Sequence, residues 1–306
     1  MKNHLLVSII IPTHNRSSLL SRAIDSVLNQ TYKNWELIII NDACSDDTIQ
    51  VLEPYLNDQR IRVLHLKESV GGGSARNAGL DISNGDFIAF LDDDDQWLND
   101  KLEEQINCFS ENCVSIVSCR IRMIFKSGFQ DRLRSGFVNL DRLLYSNKLG
   151  NFSTCIIKHE YLKTLRISPD LKACQDWDLW IKIMEKTSLS GFVMDKVLVV
   201  KDNAHENPRL TTNYYQANNS YLAFYHKNEH LLSSSHKAFR MSTYFSRESR
   251  QLSDFKLYLK SLCYVLKYFH KVNIYQTLSI LYPYFLFGEG IKNWFKSVLF
   301  LKKQLN

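Results

Sequence analysis

Short apolar runs alternate with amphipathic segments over the first 120 residues, and no other feature restricts the fold of this chain as strongly. Brief apolar runs bounded by polar turns predict buried strands, and apolar residues spaced three and four apart predict helices. This order builds βαβ units, in which a mainly parallel, Rossmann-like sheet carries helices on both faces. The predicted strands are Leu5–Ile11, Trp35–Ile40, Ile61–Leu66, Phe87–Leu91 and Val114–Ser118, and the predicted helices are Ser17–Asn29, Thr48–Leu56, Ser74–Ile82 and Lys101–Phe109.

Beyond residue 120 the pattern is less regular. A basic, hairpin-like excursion is expected between Arg120 and Gly150. The next predicted elements are a strand at Thr154–Lys158, a helix at Asp176–Glu185 and a strand at Val193–Val200. From Tyr214 onwards the chain is predicted to be helical and rich in aromatic residues. We therefore expect an α/β domain over residues 1–212 and a helical appendage over residues 213–306.

The net charge of +6 resides entirely in the C-terminal region. Residues 255–306 contain eight lysines and one acid, Glu289, whereas the remainder carries 30 basic and 31 acidic residues. Leucine-rich and aromatic stretches flanked by lysines favour amphipathic helices in peripheral contact with an anionic membrane, and no nucleic acid partner is expected. A packing or dimerisation appendage is the alternative. The uncharged segment Val272–Gly288 contains several polar residues and Pro283, which argues against a spanning helix.

The seven cysteines are an odd number without a C-x-x-C pair. This pattern favours neither a zinc site nor a disulfide framework, and it fits a reducing cytosol. The run Leu5–Ile11 is too short to span a bilayer and lacks a cleavage site, so we interpret it as a strand. A cytoplasmic location at the inner face of the plasma membrane is expected.

Four consecutive aspartates, Asp92–Asp95, follow the predicted strand Phe87–Leu91. Like charges this close together repel unless a cation joins them, and carboxylate oxygens suit a hard divalent ion such as Mg²⁺ or Mn²⁺. A solvated acidic turn, with Asp95 or Asn99 capping the next helix, is the alternative. The tetrad alone does not distinguish these two interpretations.

Unusual polar residues follow each of the first four predicted strands. Ligands of such sheets bind beyond the carboxyl ends of the strands, so these residues are expected to meet at one edge. This clustering is typical of a nucleotide site. The segments are Pro12–Arg16, Asn41–Asp47, Glu68–Asn77 and Asp92–Asp95.

Within these segments, Gly71–Gly73 either lets the backbone approach a ligand or merely turns the chain. The dinucleotide fingerprint and the Walker lysine are both missing from the sequence. Arg76 can meet a base carbonyl or a phosphate, and its alternative is a surface salt bridge. Asp42 can accept a hydrogen bond from a ring N–H such as that of uracil. The alternative is a cap for the helix near Thr48, a role that suits Ser45 or Asp46 better.

Asp176 lies at the start of a predicted helix, and two tryptophans, Trp177 and Trp180, follow it closely. Such surroundings raise the pKa of a carboxyl and suit a general base, whereas a helix cap is the plainer interpretation. Asp178 is expected to point off that face. In the loop that follows the last predicted strand, His205 is a candidate for the metal or the pyrophosphate, and Arg209 for a phosphate.

Six stretches carry a resemblance: Ser8–Arg16, Gln30–Tyr32, Glu36–Thr48, Ala75–Gly79, Gly85–Trp97 and Gln175–Leu179. In order and spacing they resemble the family 2 glycosyltransferases, which have the GT-A fold. The resemblance covers roughly residues 5–212. It implies a nucleotide-sugar donor site that contains Pro12, Thr13, Asn15, Asp42, Gly73 and Arg76. This sequence departs from the family at Ser69, where asparagine is frequent, and at Gln175, where glutamate is common.

The same resemblance divides the tetrad. It implies that Asp92 contacts the ribose, that Asp94 binds the divalent metal bridging the diphosphate, and that Asp95 faces the sugar. Asp93 replaces a frequent serine and is included among the donor-binding residues. Asp176 is implied to be the base that deprotonates the acceptor hydroxyl.

The expected function is therefore that of an inverting glycosyltransferase. It would move a sugar from a nucleoside diphosphate donor, with a UDP-sugar favoured, to a hydroxyl of a glycan or lipid-linked glycan in cell-surface polysaccharide biosynthesis. A metal-dependent sugar nucleotidyltransferase is one alternative, although it usually needs a basic, glycine-rich loop directly after the first strand. A non-catalytic nucleotide-sugar-binding module is another, and the presence of both the acidic tetrad and Asp176 argues against it.

Overall fold

The computed structural model describes residues 5–203 and 214–252, together with residues 260, 263 and 264. Two compact units divide the chain, Met1–Ser220 and Tyr221–Asn306. Among the helices of these described residues, none combines the length and the apolar character that crossing a membrane requires.

The first unit is built on a ten-stranded sheet. Its strands are β1 Val7–Thr13, β2 Trp35–Asn41, β3 Ile61–His65, β4 Phe87–Phe90, β5 Asp95–Trp97, β6 Ile116–Phe125, β7 Gly128–Arg132, β8 Gly136–Val138, β9 Cys155–Lys158 and β10 Gly191–Asp202. Its complete helices are α1 Ser17–Leu28, α2 Thr48–Leu52, α3 Gly72–Asp81, α4 Lys101–Glu111, α5 Leu140–Tyr145, α6 His159–Leu162 and α7 Gln175–Thr187. These elements confirm the predicted α/β class.

The N-terminal half of the sheet is parallel, in the order β3-β2-β1-β4. Strands β1 and β4 are buried along their whole length, as continuous apolar strands covered on both faces should be. Helix α1 packs one apolar face, including Leu20, Ile24 and Val27, into the hydrophobic core. The predicted βαβ order is confirmed in this half.

The other half of the sheet is mixed. Strand β9 runs antiparallel to both β4 and β6, whereas β10 is parallel to β6 and antiparallel to β5. The hairpin predicted between Arg120 and Gly150 is present as β6 and β7, although β6 already begins at Ile116. The short strand β5 begins at Asp95, the last residue of the acidic tetrad, and its pairing with β10 places Lys201 opposite Asp95.

Strand β1 begins two residues later than predicted. It also ends two residues later, because Pro12 does not end it. Strand β2 pairs with all seven residues of β1, whereas β4 pairs with Val7–Ile10. Pro12 therefore lies where β1 has passed its last pair with β4, so its missing N–H interrupts no pairing on that side. The sheet opens at this point, and the chain leaving β4 carries the tetrad into the opening.

The second unit is helical in its described part. Helix α8 (Tyr214–Lys227) leads into it, and helix α9 (Ser234–Leu252) follows. Phe224 is fully buried, and the guanidinium of Arg240 lies over its ring at 4.6 Å. The predicted uncharged segment Val272–Gly288 and most of the C-terminal lysines lie outside the described residues.

Candidate active site

A cavity of about 480 Å³ opens at the carboxyl ends of β1, β2 and β4. Eight of the residues predicted for the donor or the metal line it together: Pro12, Thr13, Asp42, Gly73, Arg76, Asp92, Asp93 and Asp94. These residues therefore meet at one edge of the sheet, beyond the carboxyl ends of the strands, as the sequence predicted.

Asp42 fixes the glycine loop at the edge of the cavity. Its carboxylate accepts hydrogen bonds from the backbone N–H groups of Val70 and Gly71, at 2.7 and 3.0 Å, and from the Ser69 hydroxyl at 2.9 Å. Gly71 has a φ of +80°, a conformation that suits glycine. A carboxylate has about four acceptor positions, so one is left for a ring N–H of a base.

Arg76 lies at the floor of the cavity, where its guanidinium binds Asp92. The Nη2 to Oδ1 distance is 2.5 Å, and the guanidinium lies over the Phe152 ring at 4.2 Å. The backbone N–H of Asp92 donates in turn to the Ser153 hydroxyl at 3.0 Å. Phe152 and Ser153, which directly precede β9, therefore help to orient Asp92, the first acid of the tetrad.

Three of the four aspartates converge, and the fourth does not. One carboxylate oxygen from each of Asp92, Asp94 and Asp95 lies within 4.8 Å of the others. Asp93 turns instead towards β1, where it accepts hydrogen bonds from the Thr13 hydroxyl at 2.9 Å and from Arg16 at 3.0 Å. An all-oxygen set of three carboxylates fits a hard divalent ion.

Burial and like charge act on the tetrad together. Burial, with the charges of Asp92 and Asp94, raises the pKa of Asp95 to about 6, although Lys201 opposes this rise. Burial also raises the pKa of Asp93 to about 6 against the opposing charge of Arg16. A bound cation would relieve this electrostatic strain because it favours the charged carboxylates.

Lys201 is a residue of the site that sequence reasoning missed. Its ammonium lies 3.0 Å from Asp95 Oδ1 and 3.3 Å from Asp94 Oδ1. Burial lowers its pKa, but the carboxylates of Asp95, Asp92 and Asp94 more than offset this effect, so the pKa is raised and the lysine stays charged. A single lysine at the end of a strand gives no local signal of such a position.

Asp176 lies in the first turn of α7. Its carboxylate accepts a hydrogen bond from the Trp177 backbone N–H at 2.6 Å. Burial, reinforced by the charge of Asp92, raises its pKa to about 6, in the direction that the sequence predicted. Asp178 is fully buried and binds Ser168 and Lys182, both at 2.6 Å, so it is engaged elsewhere.

Gly73 joins the donor loop to helix α7. A Cβ atom at this position would lie 2.6 Å from Gln175 Nε2, closer than real Cβ atoms come. Any other residue at this position would require the Gln175 side chain to shift. The Gln175 side chain is itself held by the carbonyl of Leu171 at 2.6 Å.

The structure places the remaining predicted residues differently. Asn15 has a φ of +53°, and its side-chain oxygen accepts a hydrogen bond from the Ser45 N–H at 2.7 Å, so it holds the neighbouring loop. Within the part of the chain that the structure describes, Asn15, Asp95 and Asp176 are not among the residues that line the cavity itself. His205 and Arg209 lie outside the described residues.

Several other residues that line the cavity received no role in the sequence analysis, among them Arg16, Lys172 and Gln175. Arg16 belongs to the segment after β1 but received no role, and it bridges Asp93 and Asp94 at 3.0 and 3.8 Å. Lys172 and Gln175 also line the cavity. Gln175 carried a signal, since it precedes Asp176 in a matching stretch.

Comparison with protein families supplies the deciding observation. The family described as Glycosyl transferase family 2 matches residues 8–167, more than half of the chain. The chain belongs to this family. As a glycosyltransferase it is an enzyme, and the alternatives of a nucleotidyltransferase and a non-catalytic module lose their support.

This glycosyltransferase is similar in sequence to two bacterial proteins. It is 33% identical over 211 residues to the UDP-Glc:alpha-D-GlcNAc-diphosphoundecaprenol beta-1,3-glucosyltransferase WfgD of Escherichia coli, covering 66% of this chain and 80% of the relative. It is 31% identical over 187 residues to the putative teichuronic acid biosynthesis glycosyltransferase TuaG of Bacillus subtilis, covering 59% and 73%. Both names concern the assembly of bacterial glycans.

A solved structure shares the fold. The TarS fragment 1–349 of S. aureus, crystallised with UDP-GlcNAc, superposes with a TM-score of 0.62 over 84% of this chain and 80% of that fragment. The sequences are 18% identical, so the likeness concerns the fold. The GT-A fold expected from the sequence is confirmed.

Proposed function

We propose that this glycosyltransferase moves a sugar from a UDP-sugar to a hydroxyl of a glycan or lipid-linked glycan, with inversion at the anomeric carbon. One observation supports the proposal above all: three carboxylates converge at the end of the sheet, and the charge of one of them, Asp92, acts on the buried Asp176 and helps to raise its pKa. The names of WfgD and of the TarS complex support a UDP-sugar donor. The diphosphate-linked lipid in the name of WfgD supports a lipid-linked acceptor.

The donor would lie across the carboxyl ends of β1, β2 and β4. Asp42 would accept the ring N–H of uracil, and Pro12 and Thr13 would pack against the nucleoside. A divalent ion, Mg²⁺ or Mn²⁺, held by Asp92, Asp94 and Asp95 would neutralise the charge of the departing diphosphate. Within 4 Å of the tetrad's carboxylates, Arg16, Arg76 and Lys201 supply three further positive charges.

Asp176 would act on the acceptor. Its carboxylate would accept the proton of the acceptor hydroxyl while that oxygen attacks the anomeric carbon from the face opposite the diphosphate. The bond from the anomeric carbon to the diphosphate oxygen breaks as the new glycosidic bond forms, so the configuration inverts. The close approach of Gly73 to Gln175 brings the start of α7 beside the donor loop, and positioning of the two substrates would contribute much of the rate.

A panel of sugar nucleotides tests the donor. We expect a UDP-sugar, with Mg²⁺ or Mn²⁺ present, to raise the melting temperature more than its ADP or CDP counterparts, because the ring N–H of uracil can donate to Asp42, whereas adenine and cytosine carry no ring N–H. Release of UDP should then depend on a polyprenyl-diphosphate-linked sugar as the acceptor. If no sugar nucleotide of the panel raises the melting temperature, the proposed function is wrong.

We also propose a cytoplasmic location at the inner face of the plasma membrane. The eight lysines of residues 255–306 support it, because basic amphipathic segments bind anionic lipid surfaces. We expect the enzyme to sediment with membranes at low salt and to be released by a high-salt wash, since salt screens such attraction. Recovery in the supernatant at low salt would contradict this location.

A further inference from the structure

The ammonium of Lys201 lies against two of the three carboxylates of the acidic cluster. Its ammonium lies 3.0 Å from Asp95 Oδ1 and 3.3 Å from Asp94 Oδ1, and its side chain is 18% exposed. The register of β10 against β5 pairs Lys201 directly with Asp95, so the backbone of the sheet brings the ammonium to the cluster. Lys201 also lines the donor cavity.

The other oxygens of the same two carboxylates are also engaged. Asp94 Oδ2 lies 3.8 Å from Arg16, and Asp95 Oδ2 accepts a hydrogen bond from Asn151 at 2.9 Å. A divalent ion binds carboxylate oxygen at about 2.0–2.2 Å, so on these oxygens it would lie within a few ångströms of the ammonium. Two cations this close repel strongly at a buried site.

We propose that Lys201 is an internal counter-cation, which holds Asp94 and Asp95 in the metal-free enzyme and moves to the donor diphosphate when donor and metal bind together. This inference rests on the proposed function, since a diphosphate must supply the new partner. The exchange makes metal binding weak without nucleotide and strong with it. It thereby couples the assembly of the charged site to the arrival of the donor.

The charges of the site agree with such an exchange. Four tetrad carboxylates face Arg16, Arg76 and Lys201, so the site is nearly neutral without a metal. A divalent ion would add two positive charges, and the diphosphate of a nucleotide-sugar brings two negative charges. The pair enters the site without a change in its net charge, whereas the ion alone does not.

Binding of Mn²⁺ in the absence of nucleotide tests the proposal, measured by calorimetry or electron paramagnetic resonance. We expect Lys201→Met to bind Mn²⁺ about tenfold or more tightly than the wild type, because the competing ammonium is gone. UDP should strengthen Mn²⁺ binding markedly in the wild type and much less in the variant. Lys196→Met is the matched control, since Lys196 lies on the same strand and binds Glu104 at the surface.

Lys201→Arg and thermal unfolding keep the test decisive if Lys201→Met folds poorly. The arginine variant keeps the charge and should bind Mn²⁺ as weakly as the wild type. Without the ammonium, Mn²⁺ should raise the melting temperature of Lys201→Met more than that of the wild type. Equal Mn²⁺ affinity or equal stabilisation in wild type and Lys201→Met would overturn the role of Lys201, even if sugar transfer from a UDP-sugar is found.

Discussion

Asp176→Asn is expected to lower kcat for sugar transfer by about 10²–10⁴-fold while the donor still binds, because general-base catalysis contributes on this order. The amide keeps the shape of the side chain but cannot accept the proton of the acceptor hydroxyl. Asp176 is separate from the three converging carboxylates, so the binding of metal and nucleotide should survive. Initial rates and the donor-induced rise in melting temperature measure the two effects on the same preparation.

Unfolding will not explain the loss. The pKa of Asp176 in the folded enzyme is about 6, above its ordinary value of 3.8, so the neutral carboxyl is the form that the fold favours. Its contribution to stability is present below about pH 4 and is lost as the pH rises through 6. At neutral pH the neutral amide of Asp176→Asn should therefore unfold at a temperature no lower than that of the wild type.

The pH dependence of the wild type gives an independent check. We expect kcat/KM to fall about tenfold per pH unit below pH 6, because the fraction of deprotonated base falls at that rate. The residual activity of Asp176→Asn should fall less steeply below pH 6, because Asp95 still titrates in this range but the base does not. Glu185→Gln, which removes an exposed carboxylate from the far end of α7, is the matched control and should keep the wild-type rate. Retained transfer by Asp176→Asn would assign the base to another residue.

The elements that the sequence predicted well are those decided by local physics. Strands such as β1, β2 and β4 are continuous apolar runs, and their polar ends meet because parallel strands share an edge. The error at Pro12 came from treating proline as the end of a strand, when only the β4 side of β1 had ended. The point at which each neighbouring strand stops pairing depends on the whole sheet, and the local sequence pattern does not indicate it.

The parts of the site that sequence reasoning missed come from distant segments. Lys201, Asn151 and Ser153 reach the tetrad because β9 and β10 return to it through antiparallel pairs. These contacts join residues 56, 61 and 107 positions apart, and no local pattern in the sequence indicates them. The tetrad itself gave the chemistry but not the orientation of Asp93, because in a turn each successive side chain points differently and its neighbours decide where it rests.

Because Asp93 turns away from the cluster, substitutions of Asp94 and Asp93 should differ in their effect on metal dependence. Asp94→Asn is expected to lower kcat/KM by about 100-fold or more and to raise the Mg²⁺ or Mn²⁺ concentration needed for half-maximal rate, because metal charge stabilisation amounts to several kcal/mol. Asp93→Asn is its matched control. Asp93 lies next in the chain and is equally buried, but it binds Thr13 and Arg16 rather than the cluster.

Metal titrations of transfer rate, after removal of ions by a chelator, compare the two variants directly. Asp93→Asn should keep the half-saturating metal concentration of the wild type even if its affinity for the donor changes. Should Asp93→Asn shift that concentration while Asp94→Asn does not, the metal lies on the Arg16 side of the tetrad. In that case Lys201 would remain on Asp94 and Asp95 throughout the reaction, because no ion would compete for their oxygens.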